Sequence, residues 1–590
     1  MPTRTAGRSL VAALDRAGIR HAFTVPGESF LEILDAMRDS PIRLVATRHE
    51  AGAGFMAEGY AQLTGRPAAC LVTRAVGSAN LSIALHTARA DSAPLIAIAG
   101  QVPRPFRGRE AFQEADLVAT FGGLCKAAAE LDDPATMARD AEALVRLASA
   151  GRPGPVLLSI PEDALLEAVA DDTGAGPAGS SDGAGGDERA RGDGGAGGIG
   201  RADRHGRTGG RPAAERPVDR AAVADVLRRL ARAHRPVVIA GAGVLRSGAV
   251  PELVAFAEAA DLPVLSSWRR TDVFPNESPR YLGSTGLSAA RTVRPRLLDA
   301  DVVLVLGTRL SEIATFGYRV PAPGTEILHV DVEPGLHGDR PAPAVALAAD
   351  AGAFLRCALE MLTADRDLHG PDRAARIAHD RAAYLAAAAL PDAGLRGPDA
   401  PVHPATLVRA LQRHLPDDAI VATDAGNFAG WAARYLRIPA RGRFLGPTSG
   451  AMGYGLPAAI GAAIAARDVE GRPRRAVALA GDGGISMLMA ELETAVREGV
   501  PVTAIVFDNG MYGTIRMHQE RAHPGRVAAT DLGRIDFARV AEACGARGLT
   551  VAHDDEAEGA VAEALAGSGV TLVHALTDPA ALSVDEMLHG

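Results

Sequence analysis

At 590 residues the chain is too long for a single hydrophobic core, so two or three domains are expected. Apolar residues make up 47%, enough to fill such cores, and a net charge of −9 spread along the chain argues against a nucleic-acid partner. Cys70, Cys125, Cys357 and Cys544 are scattered without metal-ligand spacing and fit a reduced, cytoplasmic setting. No apolar run approaches the roughly 20 residues of a membrane span, and residues 9–17 read as the start of an amphipathic helix rather than a signal-peptide core.

Along the first 170 residues, short apolar runs at 43–46, 69–73, 95–99 and 156–160 alternate with helical patterns. Continuous apolar runs separated by helices predict a parallel sheet buried on both faces. Between the first two runs, Thr47-Arg48-His49-Glu50 leads into a helix predicted over 51–63 and closed by Gly65. By position alone, Glu50 is a carboxylate at a helix start, where the dipole favours it.

Residues 171–216 are dominated by Gly, with Ala, Ser, Asp and Arg and almost no large apolar side chains. Such a stretch cannot bury enough surface to offset its ordering entropy, and it is predicted to be a disordered linker. Apolar runs at 236–240, 302–306 and 326–330 then repeat the earlier rhythm. Gly241-Ala242-Gly243 follows the first of them, by itself a weak nucleotide-type turn. A third set at 419–423, 476–480, 502–507 and 570–575 follows a Pro- and Ala-rich stretch ending near Pro404. The predicted class is α/β, with three consecutive doubly wound parallel-sheet domains over 1–170, 217–365 and 404–590 and a connecting segment over 366–403.

The third unit carries the most chemistry. The run 476–480 enters Gly481-Asp482-Gly483-Gly484, a helix with Leu488, Leu492, Ala495 and Val496 on one face follows, and Gly499 ends it. The next run, 502–507, ends in Asp508-Asn509-Gly510. Asp482 and Asn509 are 509 − 482 = 27 residues apart, about one strand-helix-strand crossover, so both sit at carboxyl ends of parallel strands, where open α/β sheets bind ligands. Gly481, Gly483 and Gly484 let backbone approach a phosphate closely. A carboxylate with an amide oxygen suits magnesium, which keeps positions for phosphate and water. A lone Gly-Asp-Gly is more often just a tight turn; the correctly placed second cluster points to a magnesium diphosphate.

These two clusters resemble the signature of the thiamine diphosphate enzyme superfamily, with Asp508-Asn509 in place of its pair of asparagines. The resemblance implies magnesium held by Asp482, Asn509 and the carbonyl of Met511. The segment Arg48-His49-Glu50-Ala51-Gly52-Ala53-Gly54 through Met56-Ala57-Glu58-Gly59-Tyr60-Ala61 is similar to the catalytic glutamate segment of the acetolactate synthase branch. It implies that Glu50 relays a proton to the cofactor's aminopyrimidine, so that the cofactor generates its own nucleophile. By the same resemblance the domain over 1–170 binds the pyrimidine and that over 404–590 the diphosphate. Gly450 and Met452, in Gly450-Ala451-Met452-Gly453-Tyr454-Gly455, match the segment that props the cofactor, with Met452 as the wedge beneath it. Gly426 and Asn427 match diphosphate contacts. Pro26-Gly27 and Gln113, in Phe112-Gln113-Glu114, match segments around cofactor and substrate.

The resemblance further implies a homodimer or homotetramer whose active sites are shared between subunits, and a place in branched-chain amino acid biosynthesis. The leading reading is a carboligase that decarboxylates pyruvate and adds the remaining unit to a second 2-oxo acid or carbonyl acceptor. A 2-oxo acid decarboxylase or another C–C lyase is the alternative, and a non-catalytic cofactor-binding relative is a third. No His-His pair of the kind used in the pyruvate decarboxylase branch occurs, which weighs against simple decarboxylation. Three departures stand out: Ala75-Val76-Gly77 replaces Gly-Pro-Gly; His518 occupies a position held by tryptophan in the branch; and Leu282-Gly283-Ser284-Thr285-Gly286 lacks the Met-His-Gly element of its FAD-binding stretch. Arg516 and His518 are thus candidate contacts to a substrate carboxylate, and FAD is left without support from local residues.

Overall fold

A computed structural model describes residues 3–170, 217–334, 342–365, 368–391 and 400–587, so the expected linker over 171–216 lies outside the described residues. The expected α/β architecture of three parallel sheets is present, and each sheet has six strands. In the N-terminal domain their spatial order is Arg43–Ala46, His21–Thr24, Ala68–Thr73, Leu95–Gln101, Val156–Pro161 and Ala127–Glu130. The central sheet runs Tyr281–Ser284, Val264–Ser266, Val237–Ala240, Val302–Leu306, Glu326–Asp331 and Val345–Ala348. The C-terminal sheet runs Arg443–Leu445, Ile420–Thr423, Ala476–Gly481, Val502–Asp508, Thr571–Leu576 and Arg547–Val551. All neighbours within these sheets are parallel, as helical crossovers on both faces require.

The strands that apolar runs do not reveal are short or lie at edges. Val264–Ser266 and Arg443–Leu445 have three residues each, and Arg547–Val551 is an edge strand with Arg547 and Thr550 exposed. Outside the sheets, helix Ala374–Ala387 is bound to the central domain. Arg381 donates to the carbonyls of Tyr281 and Asn276 at 2.6 and 2.8 Å, and Tyr384 packs edge-on against Tyr281.

The N- and C-terminal domains meet where helix Glu50–Thr64 crosses helix Gly455–Asp468. Both are buried on nearly every face, which is why neither shows a one-sided apolar stripe. Their contact is made of small residues. A Cβ at Gly59 would stand 2.4 Å from the carbonyl oxygen of Ala458, and one at Gly461 would stand 2.0 Å from that of Met56. Main chain therefore rests on main chain. Within this contact, fully buried Glu58 accepts hydrogen bonds from Tyr454 Oη and Gln62 Nε2. Burial, with Asp91 nearby, pushes its carboxyl up to about 8.

Two outcomes follow from this crossing. Gly461→Ala drives a methyl into a carbonyl oxygen, and the overpacking is expected to cost about 1–3 kcal/mol, read as a lower thermal unfolding midpoint. Glu58 binds its proton more tightly in the folded chain than in the unfolded one. Its stabilising protonated form is complete below the ordinary carboxyl range and is lost as pH rises through about 8. Glu58→Gln should therefore flatten the decline of the unfolding midpoint between about pH 5 and pH 8; an unchanged pH profile would count against this assignment.

Candidate active site

Strands Ile420–Thr423, Ala476–Gly481 and Val502–Asp508 are adjacent, and Gly481 lies opposite Phe507 in the register. Their carboxyl ends therefore deliver Asp424, Asp482, Asp508 and Asn509 side by side. A cavity of about 490 Å³ opens there, between the C-terminal and central domains. Its wall includes Gly426, Asn427, Gly450, Met452, Gly481, Asp482, Gly483, Gly484, Asn509, Met511 and His518. Eleven residues singled out from sequence thus converge on one space.

Asp482 begins helix Asp482–Leu488, and its Oδ2 is buried without a hydrogen-bond partner. Burial, together with the neighbouring Asp508, pushes this carboxyl up to about 7. A buried oxygen left unpaired beside a second carboxylate is a site that a divalent cation completes. Gly510, at φ +71°, turns the chain so that Asn509 Oδ1 accepts from Met511 N at 3.3 Å. The Met511 carbonyl accepts from Gly513 N at 2.9 Å and has its second lone pair for a metal. The donor set of carboxylate, amide oxygen and carbonyl fits magnesium. The glycines beside it have no room for side chains: a Cβ at Gly483 would stand 2.6 Å from the Tyr512 ring, and one at Gly484 would stand 2.5 Å from Asp424 Oδ2.

Two features of this cluster differ from the sequence reading. The single helix expected after the glycines is two, Asp482–Leu488 and Glu491–Glu498. Asp424, which sequence reasoning missed, binds the site together. It is buried, it accepts from the backbone N–H groups of Ala425, Gly453 and Tyr454 at 2.7, 2.9 and 3.3 Å, and burial raises it to about 6. The available signal was an acid directly after a buried strand and two residues before Gly426.

A second cluster forms on the N-terminal domain, at the carboxyl ends of adjacent strands His21–Thr24, Arg43–Ala46 and Ala68–Thr73. Pro26-Gly27 follows the first, and a Cβ at Gly27 would stand 2.7 Å from Thr73 Cβ. Glu50 follows the second and accepts from Asn80 Nδ2 at 2.9 Å through Oε2. Ala75-Val76-Gly77 follows the third and lies in the first turn of helix Arg74–Asp91. A Cβ at Gly77 would stand 3.3 Å from Glu50 Oε1. Gln113, at φ +63°, accepts from Ala75 N at 3.4 Å. The loop before Glu50 is fastened from the C-terminal domain: buried Glu491 Oε1 accepts from Arg48 N and His49 N at 3.1 Å each.

Within one chain the two clusters do not merge. Pro26, Gly27, Glu50 and Gln113 are absent from the cavity wall. Arg516 is absent too: it pairs with Glu520 at 3.0 Å, whereas His518, two residues on, faces the cavity.

In the central domain, Gly241 and Gly243 are used for packing. A Cβ at either would come within 2.6 Å of the Gly307-Thr308 loop. The cavity beside them, about 200 Å³, is lined by Arg152, Arg246 and Arg309. Its volume lies below the roughly 300–1,000 Å³ of drug-sized ligand pockets. Trp268 closes the next stretch, its ring 2.7 Å from where a Gly286 Cβ would be.

Comparison with known proteins supplies the context for this geometry. Three family models match in order: thiamine pyrophosphate enzyme, N-terminal TPP binding domain, over 4–120; central domain, over 223–357; and C-terminal TPP binding domain, over 424–575. A probable acetolactate synthase large subunit of Methanocaldococcus jannaschii is 29% identical over 97% of this chain and 92% of its own length. The acetolactate synthase isozyme 2 large subunit of Escherichia coli is 28% identical over 98% of this chain and 95% of its own length. An acetolactate synthase of Mycobacterium bovis is 30% identical over 94% and 84%. Domain order, cavity and relatives agree: the chain belongs to the thiamine pyrophosphate enzymes, in the acetolactate synthase-like branch.

Proposed function

We propose that the chain is a magnesium-dependent carboligase that decarboxylates pyruvate and transfers the remaining two-carbon unit to a second 2-oxo acid or carbonyl acceptor. The observation that carries this reading is the cavity in which Asp482, Asn509 and the glycine cradle converge with Gly426 and Met452. Asp482 Oδ2, Asn509 Oδ1 and the Met511 carbonyl would hold the metal, and Gly483 and Gly484 would receive the diphosphate. Thiamine diphosphate, when bound, would supply a carbon nucleophile and an electron sink for decarboxylation of a 2-oxo acid. Asn80 orients Glu50 through Oε2, which leaves Oε1 as the atom to carry the proton exchanged with the aminopyrimidine. Met452 would support the cofactor from below, and Gln113 and His518 would face the substrates.

Glu50 lies outside the cavity of its own chain, so the reading requires a second copy whose N-terminal domain covers it. Val76, Ile83 and Phe112, around the Glu50 cluster, and Met487 and Ile515, around the metal cluster, are exposed apolar side chains suited to such a contact. A homodimer, or a tetramer of such dimers, follows. Among the described residues no helix is long and apolar enough to cross a membrane, and the scattered unpaired cysteines fit the cytoplasm.

Incubation of the purified protein with pyruvate, thiamine diphosphate and magnesium should yield acetolactate, identified by product mass; acetaldehyde alone would replace the carboligase with a decarboxylase. Glu50→Gln is expected to lower turnover by about 10²-fold or more, the usual range for a lost acid–base group, while calorimetry shows the cofactor still bound. Asp482→Ala should abolish retention of magnesium and thiamine diphosphate in the same calorimeter. Unaltered binding would remove Asp482 from the metal site.

A further inference from the structure

The departure from paired asparagines at Asp508 has a structural counterpart. Asp508 ends strand Val502–Asp508 and is 8% exposed. Its Oδ2 lies 2.8 Å from His574 Nε2 on the adjacent strand Thr571–Leu576, and its Oδ1 accepts from Gly510 N at 3.0 Å. Gly510 is the residue between the two remaining metal-site positions, Asn509 and Met511. Asp508 therefore fastens the turn that presents both, and places a second carboxylate beside the orphaned oxygen of Asp482.

His574 is held to Asp508 through Nε2, and its other ring nitrogen is Nδ1. That nitrogen is buried without a hydrogen-bond partner, and the ring packs at 89° against Phe537. The Nε2–H of the imidazole thus aims the Asp508 carboxylate. Two acidic side chains, Asp482 and Asp508, stand beside each other where paired asparagines would leave Asp482 as the one acid.

We propose that Asp508, aimed by His574, is an outer carboxylate of the metal site that lets this chain capture a divalent cation before, and without, the diphosphate. Asp508 acts here as a positioning residue: it shapes the turn and adds charge, while Asp482 and Asn509 touch the metal. The inference rests on the metal assignment made under Proposed function.

Manganese provides the probe, with free Mn2+ followed by electron paramagnetic resonance during titration of the apoprotein. Wild type without diphosphate should bind one Mn2+ per chain. Asp508→Asn, nearly isosteric but with one acceptor oxygen in place of two, should weaken that binding at least tenfold, about 1.4 kcal/mol, with an unfolding midpoint close to wild type. Asp508→Glu should retain the binding more nearly, because it keeps the charge. Equal affinity of wild type and Asp508→Asn, or no binding to wild type until thiamine diphosphate is added, would overturn the proposal and leave the metal assignment standing. Absence of bound Mn2+ even with thiamine diphosphate present would overturn both.

Discussion

Contact between two helix backbones holds this molecule's functional parts in place. Helices Glu50–Thr64 and Gly455–Asp468 approach until a carbonyl oxygen of each lies where a side chain of the other would begin, at Gly59 and Gly461. The first helix starts at Glu50. The second follows directly on the segment Gly450–Tyr454 that walls the cofactor cavity. Their crossing therefore sets the distance and angle between the two binding surfaces, and one continuous apolar core runs through it from the N-terminal sheet to the C-terminal sheet. Buried Glu58, sharing hydrogen bonds with Tyr454 and Gln62, makes this core specific as well as apolar.

The same economy governs the metal side. Three strand ends in register bring four acidic or amide side chains into a small volume. Their mutual repulsion is contained in different ways. Asp424 accepts from three backbone N–H groups, Asp508 accepts from His574 and Gly510, and Asp482 keeps an unpaired oxygen. Among these three carboxylates only Asp482 has an oxygen buried without a hydrogen-bond partner, and Asp482 lines the cavity. Glu491 does comparable work at the other surface, where one buried carboxylate oxygen holds the two N–H groups that precede Glu50.

Much of this is legible in the amino-acid order, and the limits have physical causes. Long apolar runs such as 476–480 and 502–507 identify buried parallel strands because both sheet faces are covered. The pairing of Asp482 with Asn509 is readable because crossover length ties sequence spacing to spatial adjacency. Strands such as Val264–Ser266 leave little trace, since three residues carry no periodicity. The hydrogen-bond partners of Asp424, Asp508 and Glu491 are hidden for a different reason. Each works through a partner brought in by tertiary folding, 66 residues away for Asp508 and His574 and 442 for His49 and Glu491. The placement of Arg516 depends on a local pair: Glu520, one helical turn on, draws it away from the cavity that His518 faces.

The crossing at Gly59 and Gly461 also bears on how such a chain can change over generations. Its geometry is specified by atoms that every residue shares and by the lack of a side chain, so there is no graded series of substitutions along which the domain separation could drift. The first added methyl is already a collision. Helix Gly513–Ala522, by contrast, presents Ile515 and His518 to the cavity from an exposed surface, where side chains can be exchanged one at a time. Side chains on that helix can be exchanged while the main-chain contact at Gly59 and Gly461 stays as it is.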